Sequence, residues 1–147
     1  MVEAIRLRDD EVHEEPAVSL DSFLDQSNAT AVRIEAGEDA RLLLPYLDRV
    51  SLIEIDFPAF GDGRGYSAAQ ILRESGYAGE LRASGDVLLD QISHMRRCGF
   101  DAFAPNSPIN PQRMEEAFKR FEHVYQATSD QRVPICARIS PRPMRMR

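Results

Sequence analysis

Polar and apolar residues alternate along the middle of the chain. In residues 30–36 (TAVRIEA), Val32 and Ile34 share one parity while Arg33 and Glu35 take the other. In 51–57 (SLIEIDF), Ile53 and Ile55 oppose Glu54 and Asp56, and in 80–84 (ELRAS), Leu81 and Ala83 oppose Glu80 and Arg82. A period of two predicts strands with one buried and one polar face. Residues 100–104 (FDAFA) add a fourth strand, with Asp101 continuing the charged series.

Between these strands the spacing changes to that of helices. Residues 38–47 predict a short helix troubled by Pro45. The next helix has Ser67 as its expected cap, Gln70 reaching back in a capping box, and Gly76 as a left-handed stop. Asp86 or Ser84 is expected to cap a third helix, which carries Val87, Leu88, Ile92 and Met95 on one side and ends at Gly99. Asn110 and Pro111 open a fourth, with Met114, Ala117, Phe118, Phe121, Val124 and Tyr125 along one stripe. Ahead of the first strand, residues 4–8 (AIRLR) read as a strand or edge hairpin, HEEP as a turn and 20–26 as a short helix.

Strand followed by helix with short connections implies parallel strands joined by right-handed crossovers. A doubly wound sheet would give its central strands continuous apolar runs, which these strands lack. The expected fold is therefore α/β: four parallel β/α units forming a curved, half-barrel-like sheet, with helices on the outer face and charges on the concave one. A closed eight-stranded barrel needs a longer chain. The expected organisation is an irregular N-terminal segment (1–29), a β/α core (30–127) and a basic Pro/Arg-rich tail (128–147).

With 147 residues and 43% hydrophobic content, the chain suits one domain with a real core. A formal net charge of −6 argues against non-specific attraction to nucleic acid or anionic membrane. That charge is uneven: residues 1–50 hold twelve acids against five bases, whereas five arginines and no acid follow Gln131. No apolar run is long enough to cross a bilayer, and charged residues stand where a signal peptide would have its apolar core, so a cytoplasmic location is expected. Cys98 and Cys136 lie far apart, as do His13, His94 and His123, so zinc, iron–sulfur and dithiol redox chemistry lack their usual spacings. No cofactor and no metal is expected. A carboxylate set of Glu35, Asp56 and Asp86 has the right atoms for a divalent ion but no spacing that makes them converge.

The chemistry-bearing residues fall into two groups. Arg33, Glu35, Glu54, Asp56, Glu80 and Arg82 cannot be desolvated cheaply unless they pair with one another, with water or with a ligand. They form either an ion-pair ladder covered by the N-terminal segment, the tail or a second subunit, or a polar pocket at the C-terminal strand ends with Glu35, Asp56, Arg82 and Ser84 at its mouth. The second group occupies the strand–helix junctions. In FGDGRGYS, three glycines surround Arg64, a forked donor suited to a carboxylate, phosphate or sulfur oxyanion, with Asp62 to orient it or shape the turn. In RASGDVLLDQ stand Asp86, Asp90 and Gln91. All of these are candidate ligand-binding residues; no nucleophile elbow or Cys–His pair identifies a catalytic one.

FPAFGDGRGYS, GYAGELRASGDVLLDQ and MRRCGFDAF resemble the signature blocks of a bacterial family of unknown function, described as oxidoreductases involved in sulfite reduction and encoded beside assimilatory sulfite reductase. The resemblance covers residues 53–103 most specifically. It implies a role in sulfur assimilation as an accessory protein acting with sulfite reductase or its electron donor. The alternative is a small enzyme or anion-binding protein handling a sulfur oxyanion or related metabolite in the polar pocket. The oxidoreductase description finds no flavin, nicotinamide, cluster or haem motif here, so electron transfer would use a partner's cofactor. Four β/α units leave two open sheet edges, so homo-oligomerisation or capping by the terminal segments is expected.

Overall fold

The computed structural model describes residues 4–13, 15–25 and 28–120. They form a mixed α/β arrangement around one six-stranded sheet, in the order β1-β6-β5-β4-β3-β2. The strands are β1 (Ile5–Arg6), β2 (Val18–Ser19), β3 (Ala31–Ile34), β4 (Leu52–Phe57), β5 (Glu80–Gly85) and β6 (Ala102–Pro105). Neighbouring strands are parallel, except that β1 runs antiparallel to β6.

The helices are α1 (Leu20–Asp25), a 3-10 helix (Ala40–Tyr46), α2 (Arg64–Glu74), α3 (Leu89–Cys98) and α4 (Pro111–Lys119). Asp39 caps the 3-10 helix by accepting from the Arg41 amide at 3.0 Å, and Pro45 lies inside it. Without an amide hydrogen, Pro45 removes a donor that an α-helix would use, so this segment stays short and tightly wound. Asn110 caps α4 through the Gln112 amide, with Pro111 in the first turn, as the sequence predicts. Gly76 and Gly99 both take positive φ and end their helices as expected.

One face of the sheet carries the core. Val32, Ile34, Ile53, Ile55, Phe57, Leu81, Ala83 and Phe103 cluster with Phe23 of α1, Leu43 of the 3-10 helix, Leu72 of α2, Met95 of α3 and Met114 of α4. Gly65 sets how closely α2 lies on that face. A β-carbon there would stand 2.6 Å from the Phe57 ring and 3.0 Å from Ile55 Cγ2.

Three expectations are corrected. The sheet has six strands: the one expected within residues 4–8 is β1, which runs antiparallel to β6, and β2 was not expected. β2 has two residues, too few to show a period. Ser67 does not cap α2, which begins at Arg64; Asp62 accepts from the Arg64 amide at 3.1 Å, and the helix starts four residues earlier than a Ser67 cap would place it. Nor does the charged series reach β6. Asp101 precedes that strand and bonds the Leu81 amide, while Ala102 and Ala104 take the polar-face positions. Phe121, Val124, Tyr125 and the basic tail lie outside the described residues.

Because β1 and β2 occupy opposite edges, the chain between them crosses the sheet, a span of about 24 Å at the usual inter-strand distance. It runs along the N-terminal ends of the parallel strands. Arg8 donates to the Ala78 and Gly79 carbonyls, and Thr30 donates to Glu15. The four central strands are thereby flanked by this chain's own N-terminal segment.

Candidate functional site

The second face of the sheet holds the charges, and strand register brings them together. Arg33, Glu54 and Arg82 stand in one row across β3, β4 and β5. The row continues through Ala102 to Arg6, whose side chain passes over that small residue. Glu80 is only 3% exposed and shares its carboxylate: Arg82 Nη2 donates to Oε1 at 2.8 Å and Arg6 Nε to Oε2 at 2.9 Å. Glu54 lies 3.8 Å from Arg82 and 3.5 Å from Arg33, and Arg33 Nη2 bonds Asp56 at 2.8 Å. Ser84 donates to the same Asp56 oxygen at 3.4 Å.

From Arg6 the alternation continues into the N-terminal segment. Arg6 pairs with Asp10, Asp10 with Arg8, Arg8 with Asp101, and Asp101 with Arg73. Hydrogen bonding to Glu80 raises the Arg6 pKa, and hydrogen bonding from Arg8 lowers that of Asp10. Each carboxylate in this series faces at least one guanidinium: of the two alternatives the ion-pair ladder is the one present, without Glu35 and with Arg6, Arg8 and Asp10 of the N-terminal segment added. Arg33 Nε is a buried donor without a hydrogen-bond partner among the described residues.

The two strand–helix junctions meet above the ends of β4 and β5. Asp86 accepts from the Phe60 amide at 3.0 Å, and Gln91 Nε2 donates to the Phe60 carbonyl at 2.5 Å. The main chain of Phe60 is thus gripped from both sides, while its side chain is 56% exposed. Asp86 is consequently a tie between loops rather than the cap of α3, whose N-cap position is Leu88, itself exposed. The Gln91 side-chain oxygen Oε1 accepts from the Leu88 amide and closes that turn. Gly85, at φ +92, permits the close approach, since a β-carbon there would meet the Phe57 carbonyl oxygen. Asp90 points to solvent and lies 3.6 Å from Arg120.

Arg64 and Asp62 form a forked pair, with Nε and Nη2 both donating to the carboxylate. This holds the Asp62 pKa down at about 2. Arg64 also lines a cavity of about 320 Å³ between the turn after β3 and the first two turns of α2. Ile34, Ile55, Ala68 and Ile71 supply apolar lining, and Glu35, Glu38, Asp39 and Arg41 supply charge.

Apart from Asp62, which is paired with Arg64, and Asp90, which joins none of them, the candidate residues divide three ways. Asp56, Arg82 and Ser84 belong to the ionic face; Glu35 and Arg64 belong to the cavity on the helix-bearing side; Asp86 and Gln91 clamp Phe60. Missing from the sequence-derived set are Arg6, Arg8, Asp10 and Arg73, the ends of the ladder, and Glu38, Asp39 and Gly37 of the cavity. Arg6 was accessible in principle, since it alternates with Ile5 and Leu7 as Arg33 does with its neighbours. Among the described residues, no group of three or more His, Cys, Asp or Glu side chains is placed to hold a metal ion. No helix among them is long and apolar enough to cross a membrane.

No curated protein and no solved structure matches the chain. A family model does, over residues 31–136, which takes in β3 through α4 and both clamped junctions. By that match the chain belongs to the family "Bacterial protein of unknown function (DUF934)".

Proposed function

We propose that this protein is an accessory factor of assimilatory sulfite reduction that docks onto sulfite reductase or its electron donor. The pathway rests on the resemblance of the signature blocks. The docking role rests on one observation: those blocks meet where Asp86 and Gln91 grip the Phe60 main chain and leave an aromatic side chain exposed. A large apolar side chain on a rigid backbone loses little entropy on burial, which is the property of an interface anchor.

In this reading the sheet is a half-barrel of four β/α units whose concave ionic face is self-neutralised and structural. The working surface is the pair of loops at the C-terminal strand ends, with Phe60 and Leu88 as contacts. The cavity lining carries three carboxylates against two guanidiniums, one of them already paired with Asp62, and such a balance disfavours a free oxyanion.

The test is surface plasmon resonance of the full chain against the purified sulfite reductase haemoprotein and, separately, its electron donor. Binding to one of them is expected, weakened by about tenfold or more in Phe60→Ala. The melting temperature should change little, because the ring contributes little burial. Absence of binding to either partner sinks the proposal; binding indifferent to Phe60→Ala and Leu88→Ala removes the surface assignment.

A further inference from the structure

The cavity between the turn after β3 and α2 contains two kinds of unused bonding capacity, of opposite charge. Asp62 engages Nε and Nη2 of Arg64, leaving Nη1 without a hydrogen-bond partner among the described residues. That nitrogen lies over Gly37, at 2.9 Å from where a β-carbon would stand. Gly37 has φ +96 and no side chain, so the turn leaves the guanidinium edge uncovered. Across the lining, the Glu35 carboxylate has no partner among the described residues. Glu38 uses one oxygen to accept from the Glu35 amide at 2.6 Å, and its other oxygen has no hydrogen-bond partner among the described residues.

Arg64 does not neutralise these acids, because it is held by Asp62 instead. A ligand with only negative charge would satisfy Arg64 Nη1 but face Glu35 and Glu38. A purely cationic ligand would satisfy the acids and face Arg64. A molecule carrying both charges a short distance apart satisfies both sets, and the apolar lining of Ile34, Ile55 and Ile71 then suits a hydrocarbon side chain. The volume of about 320 Å³ stands at the small end of the roughly 300–1,000 Å³ range of small-molecule sites.

We propose that this cavity binds a free α-amino acid with an apolar side chain, its carboxylate on Arg64 Nη1 and its ammonium on Glu35 and Glu38. Such a site goes beyond the docking role and is separate from the Phe60 surface. The docking proposal stands or falls on partner binding, whereas this one is decided by small molecules alone.

The test is isothermal calorimetry on the full chain with L-leucine, L-methionine and L-valine, and with two leucine analogues: isopentylamine, lacking the carboxylate, and 4-methylpentanoate, lacking the amine. At least one amino acid should bind saturably. For L-leucine, both analogues should be weaker by about tenfold or more, the value of one charged hydrogen bond. Arg64→Gln and the double variant Glu35→Gln/Glu38→Gln should each weaken amino-acid binding by a similar factor. Arg64 is 62% exposed, so its variant should melt near the wild-type temperature. If a variant fails to fold, the wild-type comparison of ligands still decides. The proposal is overturned if none of the three amino acids binds at about 1 mM, if either analogue binds as tightly as leucine, or if folded variants bind as wild type does.

Discussion

The two faces of this sheet are built by the same strands and differ only in parity, yet they hold the molecule together in different ways. On the helix-bearing face, Ile53, Ile55, Phe57, Leu81 and Phe103 are almost completely buried, and each contributes through area removed from water. On the other face, Arg33, Glu54, Arg82, Glu80 and Arg6 are joined in series, and each charge is tolerated because its neighbours are present. Apolar contacts are graded, so a smaller side chain forfeits part of the gain. A buried ionic series responds more abruptly, because removing one member strands the next.

The largest expected effect breaks the series at its most buried point. Glu80→Ala leaves Arg6 and Arg82 facing each other across a site that excludes water, and should lower the unfolding free energy in urea by about 3–5 kcal/mol. Replacing Arg6, Glu80 and Arg82 together with apolar residues of similar volume should restore stability to near the starting value. If the triple variant is no better than Glu80→Ala, the ladder contributes more than mutual neutralisation.

Next comes the graded face. Ile55→Ala should cost about 2–5 kcal/mol, and Ile55→Val about 0.5–1.5 kcal/mol by the same measurement. A single methyl deletion as damaging as the full truncation would show that the apolar face is not graded. Third, Arg33→Ala at the solvent-facing end of the series should cost less than about 1 kcal/mol, since its side chain is 44% exposed.

The smallest effect is one of pH. Asp10 has its folded-state pKa lowered by the hydrogen bond from Arg8, so the unfolded chain takes up a proton there first as pH falls. Its stabilising contribution is present above the unfolded carboxylate pKa, about 4, and is lost as pH falls through the lower folded value. Asp10→Asn should therefore flatten the acid limb of the stability–pH curve and change little near neutrality. An unaltered acid limb would remove Asp10 from the coupled series.

Much of the central sheet was legible because alternation over four to six residues is a strong signal, and Arg33, Glu54 and Arg82 fall in register because their strands begin together. Of the edge strands, β1 falls within the stretch 4–8 expected as a strand, whereas β2 was not legible, since two residues such as Val18–Ser19 carry no period and are fixed by what they pair with. Ser67 misled because Ser followed by Gln three residues later is a proper capping box; Asp62 competed for the same role and won from outside the helix. The pairing of Asp86 and Gln91 with Phe60 joins groups 26 and 31 residues apart, a relation that local spacing does not contain. Glu35 was found as a charged position but placed with the wrong neighbours, because the strand ends at Ile34 and parity no longer governs where residue 35 goes.

The strap between β1 and β2 has a consequence for how the chain matures. Arg8 emerges from the ribosome 93 residues ahead of Asp101, and Arg6 emerges 74 residues ahead of Glu80. Helices and adjacent β-α-β units can assemble in the order they are made, but closure of the strap waits for nearly the whole sheet. Until then the nascent protein carries a row of unmatched arginines and acids, and the final latch is a long-range, late-forming contact.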